Sequence, residues 1–198
     1  MQRWKTLSKT RIFTYDEKLR IEGQEQEFSD SRIIFERHEI ELPDGRIVAN
    51  WPWIETTEFI DVLAMTQDGK FICFRQTKYA LDGVSIAPVG GYLQDGESPI
   101  ESAKRELLEE TGYQALEWIN LGEYRVDPNL GVSVGHLFLA RSAYYTGLPK
   151  SDDMEEQQLI FLNKVELSTA LLEGQFKVLG WVALVALGLA YINKTSGN

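Results

Sequence analysis

The chain of 198 residues has a single cysteine, Cys73, so no disulfide can close within it. Positive charge is also scarce: 20 Lys and Arg stand against 30 Asp and Glu, a formal net charge of −10. Affinity for nucleic acid comes largely from Lys and Arg neutralising phosphates, so this balance argues against DNA or RNA as a partner. Only two histidines occur, His38 and His136. Neither stands at a metal-ligand spacing or in a triad, and both are read as structural. The opening MQRWKTLSKT lacks the apolar core of a secretion signal, and with the lone cysteine this leads to the expectation of a cytoplasmic protein. Long apolar runs are nearly missing too. The uncharged stretch from Val178 to Ile192 is short of the roughly twenty residues that span a bilayer, so it reads as a buried C-terminal helix with no membrane role. Within it Gly180 and Gly188 permit close packing, and Trp181 suits a core or a dimer contact.

What is present fits one sizeable domain with an extension, since hydrophobic residues make up 43% and charged ones 25%, ordinary values for a globular chain. Two strand-like runs in residues 32–54 flank Pro43-Asp44-Gly45, where proline presets φ and glycine tolerates positive φ; a β-hairpin is predicted. Interior strands are predicted from Glu58 to Met65 and from Lys70 to Arg75 around the turn Gln67-Asp68-Gly69, with Cys73 in the core. Further strands are read at Trp118–Val126, Gly135–Ala140 and Gln158–Leu162, and a helix at Leu167–Glu173. Strands and helices that are mixed rather than regularly alternating favour an α+β layered sheet.

The densest signal is GGYLQDGESPIESAKRELLEETGY, from Gly90 to Tyr113. Ser98, Pro99 and Glu101 spell a capped helix start, and Gly112 a left-handed stop. At helical spacing Ile100, Ala103 and Leu107 share an arc of roughly 60° that can face a core, while Glu106, Glu109 and Glu110 share another of about 100°. Like charges so close repel, by a few tenths of a kcal/mol per pair on a wet surface and by more where water is excluded. Arg105 can pair with Glu101 and Glu109 at i,i+4 but cannot neutralise the set, and clustered oxygen ligands without His or Cys suit hard cations such as Mg²⁺ or Mn²⁺.

Gly91, Glu97, Arg105-Glu106-Leu107, Glu109-Glu110 and Gly112-Tyr113 stand at the spacing G-x5-E-x7-R-E-U-x-E-E-x-G-U, where U is bulky and apolar. This resembles the Nudix hydrolase signature; its seven fixed letters would arise by chance in such a chain on the order of once in a million. The resemblance implies a Nudix α/β/α sandwich with a mixed sheet, expected over residues 55–198, preceded by an extension over residues 1–54 whose hairpin takes part in a homodimer. It implies metal-dependent cleavage of the pyrophosphate in a nucleoside diphosphate linked to another moiety. The box residues matching Glu106, Glu109 and Glu110 ligate or service the metal, together with a backbone carbonyl at Gly90 or Gly91. Glu97 supports the site, and Arg105 orients a carboxylate ligand.

Beyond the box, the resemblance looks closest to the ADP-ribose pyrophosphatase group and covers roughly Arg32 to Ile192. The N-terminal β extension, the segment FRQTKYA before a Pro-x-Gly stretch, and Pro128 sixteen residues after Gly112 carry it. One position departs: Ala87 stands where that group usually has a glutamate, and its side chain cannot ligate a metal. Arg75 and Lys78 lie where such enzymes hold phosphates, and Trp51 and Trp53 where related dimers stack a base. A general base is expected in Glu155 or Glu156 of an acidic loop, with Glu106 as the competing choice. The expected function is hydrolysis of ADP-ribose or a similar nucleoside diphosphate sugar. A non-catalytic nucleotide sensor, and an enzyme for GDP-mannose, NADH or a dinucleoside polyphosphate, are the alternatives.

Overall fold

A computed structural model describes residues 3–20, 27–147, 149 and 157–196. The chain forms two compact units, one of residues 1–58 with 125–134, the other of residues 59–124 with 135–198.

The first unit holds an antiparallel sheet in the order β1 (Lys5–Arg20), β2 (Glu27–Glu41), β3 (Ile47–Thr56). The predicted hairpin is thus two strands of three. Its turn is as expected: Gly45 has φ 84°, and its N–H donates to Leu42 O at 2.9 Å. The first strand was not expected, and the pairing explains why. Register shifts fall between Thr6 and Ser8, between Arg11 and Phe13 and between Lys18 and Leu19, so side chains change face along β1 and no clean two-residue alternation survives. Along β2, Ile34, Glu36, His38 and Ile40 are buried, while Ile33 and Phe35 are exposed on the opposite face, where Phe35 pairs with Phe13 and Ile54.

The second unit is built on a mixed sheet in the order β10-β5-β4-β9-β8. These strands are β4 (Phe59–Thr66), β5 (Phe71–Gln76), β8 (Tyr113–Arg125), β9 (Val134–Tyr145) and β10 (Gln157–Leu162), with β4 and β9 parallel. Two short strands add to it: β6 (Ser85–Ala87) pairs with β5, and β7 (Val89–Tyr92) with β4. Helix α1 (Pro99–Thr111) covers one face, packing Ala103 and Leu107 onto Ile60, Val62, Phe74 and Phe138. Helices α2 (Lys164–Leu172) and α3 (Leu179–Ser196) cover the other, setting Leu167, Leu184 and Val185 on Leu63, Phe71, Cys73 and Leu139. This is the expected α/β/α sandwich. Because successive strand side chains point to opposite faces, both faces of β4 and β5 are apolar, which is why these segments read as continuous hydrophobic runs.

Helix α3 begins as expected and is read correctly as a core element. A Cβ at Gly188 would stand 2.5 Å from Leu63 Cδ2, so the glycine lets the helix lie directly on β4. Among the described residues no helix is long and apolar enough to cross a membrane. Cys73 is fully buried, and burial pushes its thiol pKa up to about 12, so it stays neutral in the core.

Candidate active site

Helix α1 carries the box and is held at both ends. The carboxylate of Glu101 accepts the backbone N–H of Ser98 at 3.0 Å and its hydroxyl, which keeps its pKa below the usual range. At the other end Gly112, with φ 74° and ψ 11°, donates to Leu108 O. Its own carbonyl accepts from Thr146 N at 2.8 Å, tying the helix end to the end of β9.

Arg105 sits among three carboxylates. Its Nε and Nη2 donate to the two oxygens of Glu97, both at 2.9 Å, and Nη1 donates to Glu106 at 2.8 Å and Glu109 at 3.0 Å. The paired hydrogen bonds from Arg105 hold Glu97 ionised well below its ordinary pKa and in turn raise that of the guanidinium. The expected partnership of Arg105 with Glu101 does not form, because Glu101 is spent on capping Ser98; Glu97, from the loop before the helix, takes that place. A loop carboxylate can reach a helix residue in a way that i,i+4 counting does not see.

Two box carboxylates meet the β7 backbone. A Cβ on Gly91 would collide with the carboxylate of Glu106, and Glu110 Oε2 accepts the N–H of Gly90 at 3.4 Å. Glycine at both positions lets carboxylates approach the main chain closely. From beneath, Asp61 on β4 faces Gly90: a Cβ there would stand 2.6 Å from Asp61 Oδ1. Asp61 is 4% exposed, and burial pushes its pKa up to about 8, against a smaller opposing effect of a hydrogen bond with Trp181. No motif marks Asp61; the available signal was an acid inside the apolar run FIDVLAM.

The donor set suits a hard divalent cation. The side chains that meet at β7 are the carboxylates of Glu106 and Glu110, hard oxygen donors, and glycine at positions 90 and 91 lets carboxylate oxygens come against the main chain. Among the described residues no three acidic, His or Cys side chains are grouped so as to hold a metal ion; Glu97, Glu106 and Glu109 bond Arg105.

The other expected site residues fall elsewhere. Arg75 is exposed and lines a cleft of about 380 Å³ with Ser85, Gln175 and Lys177. Alternation from Phe71 and Cys73 puts it on the α3 face of the sheet, opposite α1, so the structure does not bring it to the box. Lys78 lies in the turn after β5, its carbonyl accepting from Leu81 N. Ala87 is fully buried in the α1-side core. Glu155 and Glu156 lie outside the described residues.

Trp51, Trp53 and Pro128 do come together, in the first unit, around a cavity of about 440 Å³. Trp51 Nε1 donates to Asn129 O at 2.6 Å, and Trp4 meets Trp51 edge-on with centroids 5.6 Å apart. His38 stacks on Trp53 at 5.0 Å and bonds Glu36 at 2.9 Å. His38, read from the sequence as structural, is buried and also lines this cavity. Lys5 and Lys9 of β1 also line the cavity, and were missed along with that strand.

A NUDIX domain model matches residues 57–187. Over 149 residues, 75% of this chain and 79% of the relative, the sequence is 30% identical to the ADP-ribose pyrophosphatase of Bacillus subtilis (strain 168). Over 152 residues, 74% of this chain and 78% of the relative, it is 28% identical to the methanol dehydrogenase activator of Bacillus methanolicus. A crystal structure of an ADP compounds hydrolase shares the fold, with a TM-score of 0.72 over 98% of this chain and 97% of that one, at 18% identity. The helix whose carboxylates crowd the Gly90–Gly91 backbone is thus the Nudix box in its own fold, and the chain belongs to the Nudix family of hydrolases.

Proposed function

We propose that this Nudix hydrolase uses a divalent cation, Mg²⁺ or Mn²⁺, to cleave the pyrophosphate of ADP-ribose or a related nucleoside diphosphate sugar into a nucleoside monophosphate and a sugar phosphate. The observation that carries this reading is the placement of Glu106 and Glu110 against the backbone of Gly90 and Gly91. These four residues and Glu109 are the proposed holders of the cation. When bound, the cation would neutralise pyrophosphate charge and lower the pKa of a water molecule.

The chain's own groups have separate tasks. Arg105 gathers Glu97 of the preceding loop with Glu106 and Glu109 of the helix, and so holds like charges close together. Glu97, ionised and forked to Arg105, fixes that guanidinium in place. The proton of the attacking water is assigned to Glu155 or Glu156, with Glu106 as the competing base. The 30% identity to an ADP-ribose pyrophosphatase supports the choice of substrate. Taken by itself, the first unit's cavity has the flat indole rings of Trp51 and Trp53 in its lining, which suit a base. A cytoplasmic homodimer is part of the proposal, and the exposed stripe of Phe13, Ile33 and Phe35 is a surface it could use.

The test is a chromatographic product assay with Mg²⁺ on ADP-ribose, ADP-glucose, GDP-mannose, NADH and diadenosine polyphosphates. AMP and ribose 5-phosphate should appear fastest from ADP-ribose. Glu110→Gln should fold normally and lose at least about 90% of turnover, the scale seen when a metal site is disturbed. Wild-type turnover in that variant would overturn the site.

A further inference from the structure

Asp61 is a buried acid that the box does not include. Its two oxygens occupy the spaces left by two glycines on different elements. Oδ1 lies 2.6 Å from where a Cβ of Gly90 would be, on β7, and Oδ2 lies 3.2 Å from where a Cβ of Gly180 would be, on α3. Oδ2 is fully buried without a hydrogen-bond partner among the described residues, and Trp181, next to Gly180, is the polar neighbour that draws the carboxyl's pKa down against its burial. Such an arrangement is costly for a group that serves only as filler, because an apolar side chain would fill the same space with no polar atom left over.

The register shows what the carboxyl holds. Asp61 pairs with Gly90 and Ile60 with Gly91, so Asp61 supports the Gly90 side of β7 from the α3 face while Glu106 presses on Gly91 from the α1 face. Glu110 takes the N–H of the same Gly90. One short strand is therefore set between side chains from β4 and α1, and β4's member is seated against α3.

We propose that Asp61 is a positioning residue of the hydrolytic site, a wedge between the start of α3 and β7 that, with Trp181, fixes the Gly90–Gly91 backbone to which Glu106 and Glu110 are fitted. The inference rests on the cation-dependent reading above. Its basis is the shape of the carboxyl, which fills the spaces beside Gly90 and Gly180: an amide at position 61 can do the same work, and a methyl group cannot.

Mn²⁺ binding, followed by the EPR signal of the free ion, and steady-state kinetics on ADP-ribose test this on the full chain, with folding checked by circular dichroism. Asp61→Ala should weaken Mn²⁺ binding and lower kcat by about tenfold or more, the range for residues that orient metal ligands. KM should stay within about twofold, since substrate contacts are untouched. Asp61→Asn should restore both to within about threefold of wild type. Trp181→Phe, which puts a smaller ring without an N–H beside Asp61, should shift Mn²⁺ binding in the same direction as Asp61→Ala; it decides the matter if the alanine variant does not fold. Wild-type Mn²⁺ binding and kcat in folded Asp61→Ala, or in Trp181→Phe, would overturn the proposal, and so would an asparagine variant as impaired as alanine. A wild-type protein that neither binds Mn²⁺ nor turns over would instead overturn the cation-dependent reading itself.

Discussion

A carboxyl buried as deeply as that of Asp61 binds its proton more tightly folded than unfolded, and the stability of the molecule carries that difference. The unfolded group has a pKa near 3.8 and the folded one about 8. Between those values the native state keeps a proton that the unfolded chain has lost. Unfolding free energy therefore falls as pH rises through this window, by at most about 1.4 kcal/mol per pH unit, and levels off on either side. Asp61→Asn cannot titrate. In chelator, urea melts of wild type should lose stability between pH 5 and 7.5 relative to the asparagine variant, whose own slope from this position is zero. Parallel slopes would mean that Asp61 ionises near its ordinary pKa in the folded protein. The residue scale is also where sequence reading is weakest: Asp61 belongs to no motif, and its neighbours Gly90 and Gly180 are separated from it by 29 and 119 positions. Box residues were legible because their chemistry is written at fixed local spacing.

At the scale of elements, α1 was legible from end to end. Ser98, Pro99 and Glu101 start it, Ala103 and Leu107 face the core, and Gly112 stops it. These are local signals, each acting within about one helical turn. What local signals could not supply was the partner of each end. Gly112 is both left-handed and crowded: a Cβ there would run into the carbonyl of Gly147 and lie 2.9 Å from Tyr145 Cε2. Gly96 has a similar φ of 80°, yet nothing lies within 4 Å of its missing Cβ. The pair separates conformation from packing. Gly96→Ala should cost about 1 kcal/mol in urea melts for the backbone alone. Gly112→Ala should cost about 1–3 kcal/mol beyond that, because a main-chain carbonyl has to move. Equal costs would show that the junction between α1 and β9 yields freely. The strands follow the same division: β4 and β5 were readable from their apolar runs, whereas β1 was lost to its bulges, and β6 and β7 were too short for any periodicity to show.

For the whole molecule, charge is the governing quantity. A net charge of −10, with carboxylates gathered on one helix, makes the folded state repel itself, so any added cation stabilises it to some degree through screening. A specific site is distinguished from screening by comparison at equal ionic strength. Binding to the native state alone adds about 2.7 kcal/mol when the cation stands at a hundred times its Kd. In a chain of this length that raises Tm by about 5–10 °C. Mg²⁺ or Mn²⁺ should produce that rise over NaCl matched in ionic strength, EDTA should reverse it, and Glu110→Gln should lose most of it while its melting point in NaCl stays near that of wild type. A wild-type Tm that follows ionic strength alone, whatever the cation, would show that the crowded carboxylates of α1 hold no specific cation in the free protein.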